Sequence, residues 1–172
     1  MVAGYTAILF GRGRRSDYIG FILEDLGENG FVELCRRARR AGFVLMQGDI
    51  GNEESARRIY RDYLAEGYGA RFMYKDVVLP NIEAKLARTD IHRYALAHSI
   101  KVVVNDESVV RISPLELQIA YKLYLGSGGR SGKDLGDAVF LYTLFKDYID
   151  HEELEKWCAR LRVDCRILGG EP

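Results

Sequence analysis

The residues best suited to chemistry fall in three places along the chain. The first is the turn Gly11-Arg12-Gly13-Arg14-Arg15, followed by Ser16 and a lone acid, Asp17. Glycine takes positive φ without steric cost, so Gly11 and Gly13 let the backbone close around a ligand, and successive turn amides can cradle an anion. A phosphate suits such a turn. The second place is Asn81-Ile82-Glu83-Ala84-Lys85-Leu86, where strand alternation puts Ile82, Ala84 and Leu86 on one face and Glu83 with Lys85 on the other. By itself this pattern reads Glu83 as half of an ordinary ion pair on a sheet face. The third is Lys133-Asp134-Leu135-Gly136-Asp137, with Lys122 on the preceding helix. Here Asp134 and Asp137 can favour a helix N-terminus through its dipole, with no ligand at all.

These residues need elements to hold them. The apolar run Ala7 to Phe10, the basic turn, and Ile19, Phe21, Ile22 and Leu23 predict a strand, a tight turn and a second strand. Phe31, Leu34, Cys35 and Ala38 then recur at helical spacing up to a stop at Gly42. Arg36, Arg37, Arg39 and Arg40 line the opposite side, which reads better as a solvated face than as a nucleic-acid patch. Phe43 to Met46 predicts a short strand and Glu53 to Glu66 an amphipathic helix; Ala70 to Tyr74 and Val77 to Ala87 predict strands, with Pro80 at an edge or bend. Thr89 to Ser99 is expected to be helical, and Ile100 to Val104 with Val109 to Ile112 to form a hairpin around Asn105-Asp106-Glu107. Ser113, Pro114 and Glu116 spell a capped helix start, with Gly126 as the stop after Leu125. The glycine-rich loop Ser127 to Gly132, a helix from Lys133, a helix His151 to Arg160 and a strand-like tail Val163 to Leu168 complete the expectation. The fold class is α+β: a mixed β-sheet flanked by helices over residues 1–112, with a C-terminal helical part over 113–172.

The 172 residues are enough for one domain with a proper core, or one with a small helical appendage. Acids and bases cancel to a net charge of zero, so no overall field draws the molecule to nucleic acid or membrane, and any such affinity must be local. Arginine outnumbers lysine more than two to one, which suits a heat-adapted source and equally a genomic base bias. Cys35, Cys158 and Cys165 are odd in number and widely spaced, which predicts free thiols in a reducing, cytoplasmic compartment. His92 and His98 lack a partner at metal spacing. The apolar start is too short for a membrane span and has no basic stretch before it.

The opening layout resembles that of the nucleotidyltransferase fold, in which a glycine-containing turn holds a triphosphate and the next strand carries an Asp-x-Asp pair for magnesium. Residues two apart on a strand share a face, so such a pair can grip metal and phosphate together. In this chain the pair is broken: with Asp17 first, the partner position is Ile19; one residue later, the positions are Tyr18 and Gly20. The run Ser-Pro-Leu-Glu-Leu-Gln-Ile-Ala-Tyr-Lys-Leu-Tyr-Leu-Gly from Ser113 to Gly126, followed by Lys-Asp-x-x-Asp-Ala from Lys133, is similar to the C-terminal helical part of the abortive-infection toxin type of nucleotidyltransferase and of related uncharacterised archaeal proteins.

The resemblance implies a helix ahead of the first strand, absent here or encoded upstream. It also implies Asp17 and Glu83 as ligands of a magnesium ion and Lys122 as a catalytic cation. Gly11, Arg12, Gly13, Arg14, Ser16, Lys133 and Asp134 would bind a nucleoside triphosphate, with Asp134 and Asp137 orienting a lysine or the acceptor. The acceptor would be a protein or RNA hydroxyl. Because one carboxylate of the pair is missing, a degenerate site is expected. An active magnesium-dependent transferase, or a non-catalytic nucleotide, RNA or partner-binding module of a toxin-antitoxin type system, is the alternative.

Overall fold

In the computed structural model, which describes residues 1–127 and 131–169, the chain divides into two units. One is Met1 with Arg15–Ala97; the other is Val2–Arg14 with His98–Pro172. The boundary drawn after Ile112 from sequence lies inside the second unit, because the hairpin before it groups with the C-terminal helices.

The first unit is built on a four-stranded mixed sheet of β1 (Tyr18–Leu23), β2 (Phe43–Leu45), β3 (Ala70–Tyr74) and β4 (Val77–Leu86), in the order β1-β4-β3-β2. β1 runs parallel to β4, with Gly20 opposite Glu83, and β4, β3 and β2 are successively antiparallel. A parallel pair needs a long crossover, and the helices α2 (Gly27–Arg40) and α3 (Glu53–Ile59) lie within it. α3 continues into a π turn, Tyr60–Leu64. Phe31, Cys35, Ile59 and Leu64 from these helices share a buried cluster with Phe72 and Ala84 of the sheet. Alternation then fixes the other face: Tyr18 and Gly20 of β1, Arg71 of β3, and Asn81, Glu83 and Lys85 of β4 all point away from that cluster. Gly42 closes α2 with φ +88, its amide bonded to Arg39 O. The Asn52 side chain caps α3 by accepting from Ser55 N at 3.1 Å. Pro80 stands where β4 begins to pair with β1, one residue before Asn81. α4 (Asp90–Ala97) ends the unit.

In the second unit the segment expected as the first strand is a helix, α1 (Gly4–Leu9). A short apolar run has no periodicity to separate strand from helix. Here the buried side is that of Thr6 and Ala7, and the Phe10 ring meets Phe145 edge-on at 4.7 Å. The basic turn therefore follows a helix: Gly11 adopts φ +98, and the Gly11 and Arg12 amides bond back to Ile8 O and Ala7 O. β5 (Ile100–Asn105) and β6 (Ser108–Ile112) form the expected hairpin. Three helices follow, α5 (Leu115–Gly126), α6 (Gly132–Phe145) and α7 (His151–Leu161). α5 packs on both of the others and buries Leu117, Ile119, Ala120 and Leu123.

Local chemistry departs from expectation at three points. Pro114, not Ser113, takes the N-cap position of α5; the Ser113 hydroxyl donates to Gln118 Oε1 at 2.7 Å, and Glu116 accepts from Asp150 N. The capping box is therefore not formed. The tail after α7 is not a strand but a 3-10 turn, Cys165–Leu168. Arg162 takes a left-handed conformation at the end of α7, φ 57, and turns the chain back on the helix. That reversal brings Cys165 to Cys158, with Cα atoms 6.1 Å apart, and the two form a disulfide. Only Cys35 is a free, buried thiol, so the expectation of three free thiols is corrected. Of the glycine-rich loop, residues 128–130 lie outside the described residues. Among the described residues no helix is long and apolar enough to cross a membrane.

Candidate functional site

The residues singled out from sequence sort by unit. Arg12, Arg14, Lys122, Lys133, Asp134 and Asp137 all belong to the second unit, whereas Ser16, Asp17 and Glu83 belong to the first.

In the first unit the site is the polar face of the sheet. Parallel register sets Gly20 beside Glu83, and antiparallel register sets Arg71 on its other side. Arg71 Nη2 donates to Glu83 Oε1 at 2.9 Å and Nη1 to Asn81 Oδ1 at 3.2 Å, while the guanidinium carbon lies 5.4 Å from the centre of the Tyr18 ring. Lys85 Nζ stands 3.4 Å from Glu83 Oε2. Both carboxylate oxygens thus meet side-chain cations, the ion pair weighed from sequence. Gln47 locks the edge of this face, accepting from Arg71 N and donating to Gly69 O. Gly69 is required by proximity: a Cβ there would fall 2.7 Å from Glu83 Cγ. A groove of about 420 Å³ opens over these groups, bordered by Asp62, Tyr63, Tyr68, Arg71, Glu83 and Lys85.

Asp17 does not join it. Its side chain is exposed, and its carbonyl accepts from Asn81 N at 3.0 Å. Asp17 lies three positions before Gly20, the strand partner of Glu83, and outside β1, roughly 10 Å away along an extended chain. Ser16 bonds locally, its hydroxyl to Tyr18 O. The donor set therefore does not fit a two-metal magnesium site: in neither register weighed from sequence, Asp17 with Ile19 or Tyr18 with Gly20, does a second carboxylate stand, and Glu83 is ion-paired. Among the described residues no group of three or more His, Cys, Asp or Glu comes together as a metal ligand set.

In the second unit the structure gathers a charge cluster. Asp137 is completely buried, and Arg14 grips it as a fork, Nε to Oδ1 at 2.8 Å and Nη2 to Oδ2 at 2.6 Å. Arg12 Nη1 also donates to Asp137 Oδ1 and to the Lys133 carbonyl. Lys122 Nζ lies between Asp134, which it bonds, and Asp137 Oδ2 at 2.9 Å. Burial pulls the Lys122 ammonium below its ordinary pKa, against the opposing pull of Asp134. Asp134 is held low in turn; its own burial works the other way but is outweighed by hydrogen bonds from Lys122 and Ser131. Arg12 is likewise lowered, by burial first and by the neighbouring Arg14 second. Three cations on two carboxylates leave one net positive charge. A Cβ at Gly13 would meet nothing within 4 Å, and Lys133 is exposed.

Sequence reasoning missed Arg71, Asn81, Tyr18 and Gln47. The turn Lys75-Asp76 between two strand-like runs carried a signal for Arg71, since folding β3 onto β4 about it sets Arg71 against Glu83. Gln47, in the turn after a three-residue strand, carried none. No protein-family model matches the chain, and no curated protein matches it either.

Proposed function

We propose that this is a nucleotidyltransferase-like protein with a degenerate metal site, which binds nucleotide phosphates through side-chain cations in place of magnesium. The observation that carries the reading is Arg71. Its guanidinium lies against Glu83, Asn81 and the Tyr18 ring, on the sheet face where the resembled family would hold a metal between carboxylates. Arg71 and Lys85 offer charge to a phosphate, and Tyr63 and Tyr68 at the groove rim offer faces for a base to stack on. A groove of this size suits a mononucleotide.

An active magnesium-dependent transferase acting on a protein or RNA hydroxyl is the second reading, favoured by the cluster of buried Lys122 and Asp137 with the half-buried Asp134. Incubation with labelled nucleoside triphosphates, magnesium, total RNA and the protein itself separates the two. The first reading expects no covalent label on RNA or protein and a raised unfolding temperature with nucleotide in the presence of chelator. Label that disappears in Lys122→Met would establish the second instead.

A further inference from the structure

The structure divides the four arginines of α2. Arg37 bonds Glu33 and borders an apolar groove, while Arg36, Arg39 and Arg40 recur at the helical spacing of Val32 and Cys35 and border a separate cleft of about 490 Å³ against α3. The floor of that cleft is aliphatic: Val32, Cys35, Ile50 and Ala56 are all buried. No aromatic side chain borders it among the described residues, so it offers a base no ring to stack on and suits a carbon chain instead.

Three guanidinium groups stand round this floor with one carboxylate, Glu53, which accepts from Arg36. Neither Arg39 nor Arg40 has a side-chain hydrogen bond or ion pair among the described residues. The Arg39 guanidinium is set over Gly51, where a Cβ would fall 3.0 Å from Nη1 and 3.1 Å from Cζ. Asp49 is engaged with the same glycine, its Oδ1 accepting from Gly51 N at 2.8 Å. The helix dipole favours cations in the last turn of α2, which accounts for their charge and not for their gathering round a concave, aliphatic surface. Like charges three or four positions apart on a helix repel, so Arg36 with Arg39 and Arg40 is an arrangement that an anion would relieve. Adjacent positions diverge by roughly 100° about the helix axis. Arg39 and Arg40 can therefore each hold a carboxylate as a planar fork, whereas a compact anion such as phosphate meets one fork at a time. We propose that this cleft binds a small aliphatic dicarboxylate, with one carboxylate on Arg39, the other on Arg40, and the methylene chain against Val32 and Ile50. The inference is independent of the nucleotide reading, since the cleft shares no lining residue with the groove over Glu83.

The probes are succinate, glutarate and adipate, titrated by amide chemical shifts at neutral pH and constant ionic strength. The controls are inorganic phosphate and pentanoate, which is glutarate with a methyl group in place of one carboxylate. At least one dicarboxylate is expected to shift the amides around the cleft and to bind at least about tenfold more tightly than either control. Arg39→Gln and Arg40→Gln are each expected to reduce that ligand to the level of pentanoate. Arg58→Gln, on α3 and outside the cleft, removes the same charge and is expected to leave binding unchanged. Unaltered amide spectra away from the cleft check that each variant is folded. No shift around the cleft with any dicarboxylate would overturn the proposal. So would equal binding of pentanoate or phosphate, which makes the cleft a site for an adventitious ion only, or dicarboxylate binding that survives both substitutions in α2.

Discussion

Asp137 is the side chain on which most of the second unit's charge converges. Arg12, Arg14 and Lys122 all reach it and it has no exposure to water. Removing its charge leaves three cations without their shared anion, and breaking a buried ion pair from one side is costly. Asp137→Asn is expected to lower the urea unfolding free energy by about 3 kcal/mol, with Arg12→Ala costing less because Arg12 is partly exposed. Asp134 contributes to the pH dependence. Its carboxyl titrates below the ordinary 3.8 in the folded chain, so the unfolded chain takes up the proton first as pH falls. Its stabilising contribution is fully present above pH 3.8 and is lost as pH drops through the lower folded value. Asp134→Asn should therefore show a shallower loss of stability across that acid range than wild type, measured by denaturant unfolding at successive pH values. Cys35, whose thiol burial pushes up to about 11, should resist thiol reagents in the native protein. Unfolding without reductant should release one reactive thiol per chain, and unfolding with reductant three. Release of three without reductant would contradict the disulfide.

At the scale of elements, Gly126 shows why a correct boundary can have an unforeseen cause. It ends α5 as expected from its sequence, yet no left-handed turn is involved. A Cβ there would stand 2.6 Å from the backbone nitrogen of Leu135, where α6 crosses close. Gly126→Ala should thus destabilise by about 2 kcal/mol through overpacking, where a simple helix stop would give little change. Most elements were legible because their signals are local: the helical spacing of Phe31, Leu34, Cys35 and Ala38, the turn Asn105-Asp106-Glu107, the alternation around Glu83. What was not legible depends on partners distant in sequence. Ala7 to Leu9 is helical in the company of α6, and Cys165 turns back in a 3-10 coil because Cys158 lies on the helix before it. The same holds for the candidate site. Glu83 was visible; that Arg71 would be its partner depends on strand register. The Lys122 and Asp134 pairing joins two helices whose only sequence cue was the run from Lys133 to Asp137.

For the whole molecule, the chain contributes residues 2–14 to one unit, builds the other with 15–97, and returns to the first. The second unit is therefore incomplete when cut from its C-terminal side alone. A fragment from His98 onward lacks Arg12 and Arg14 and strands Asp137 with only Lys122. It is expected to show collapsed amide dispersion by NMR, and addition of a peptide spanning residues 2–14 is expected to restore it. A zero net charge gives the molecule no general attraction for polyanions, so the nucleotide affinity proposed above would have to come from named cations, Arg71 first among them. The most direct test is calorimetric titration of a nucleoside triphosphate, in excess chelator, into wild type and into Arg71→Ala. Arg71 in the metal's place predicts binding by wild type without magnesium and at least about tenfold weaker binding by the variant. Binding that begins only when magnesium is added, or that is indifferent to the loss of Arg71, would contradict it.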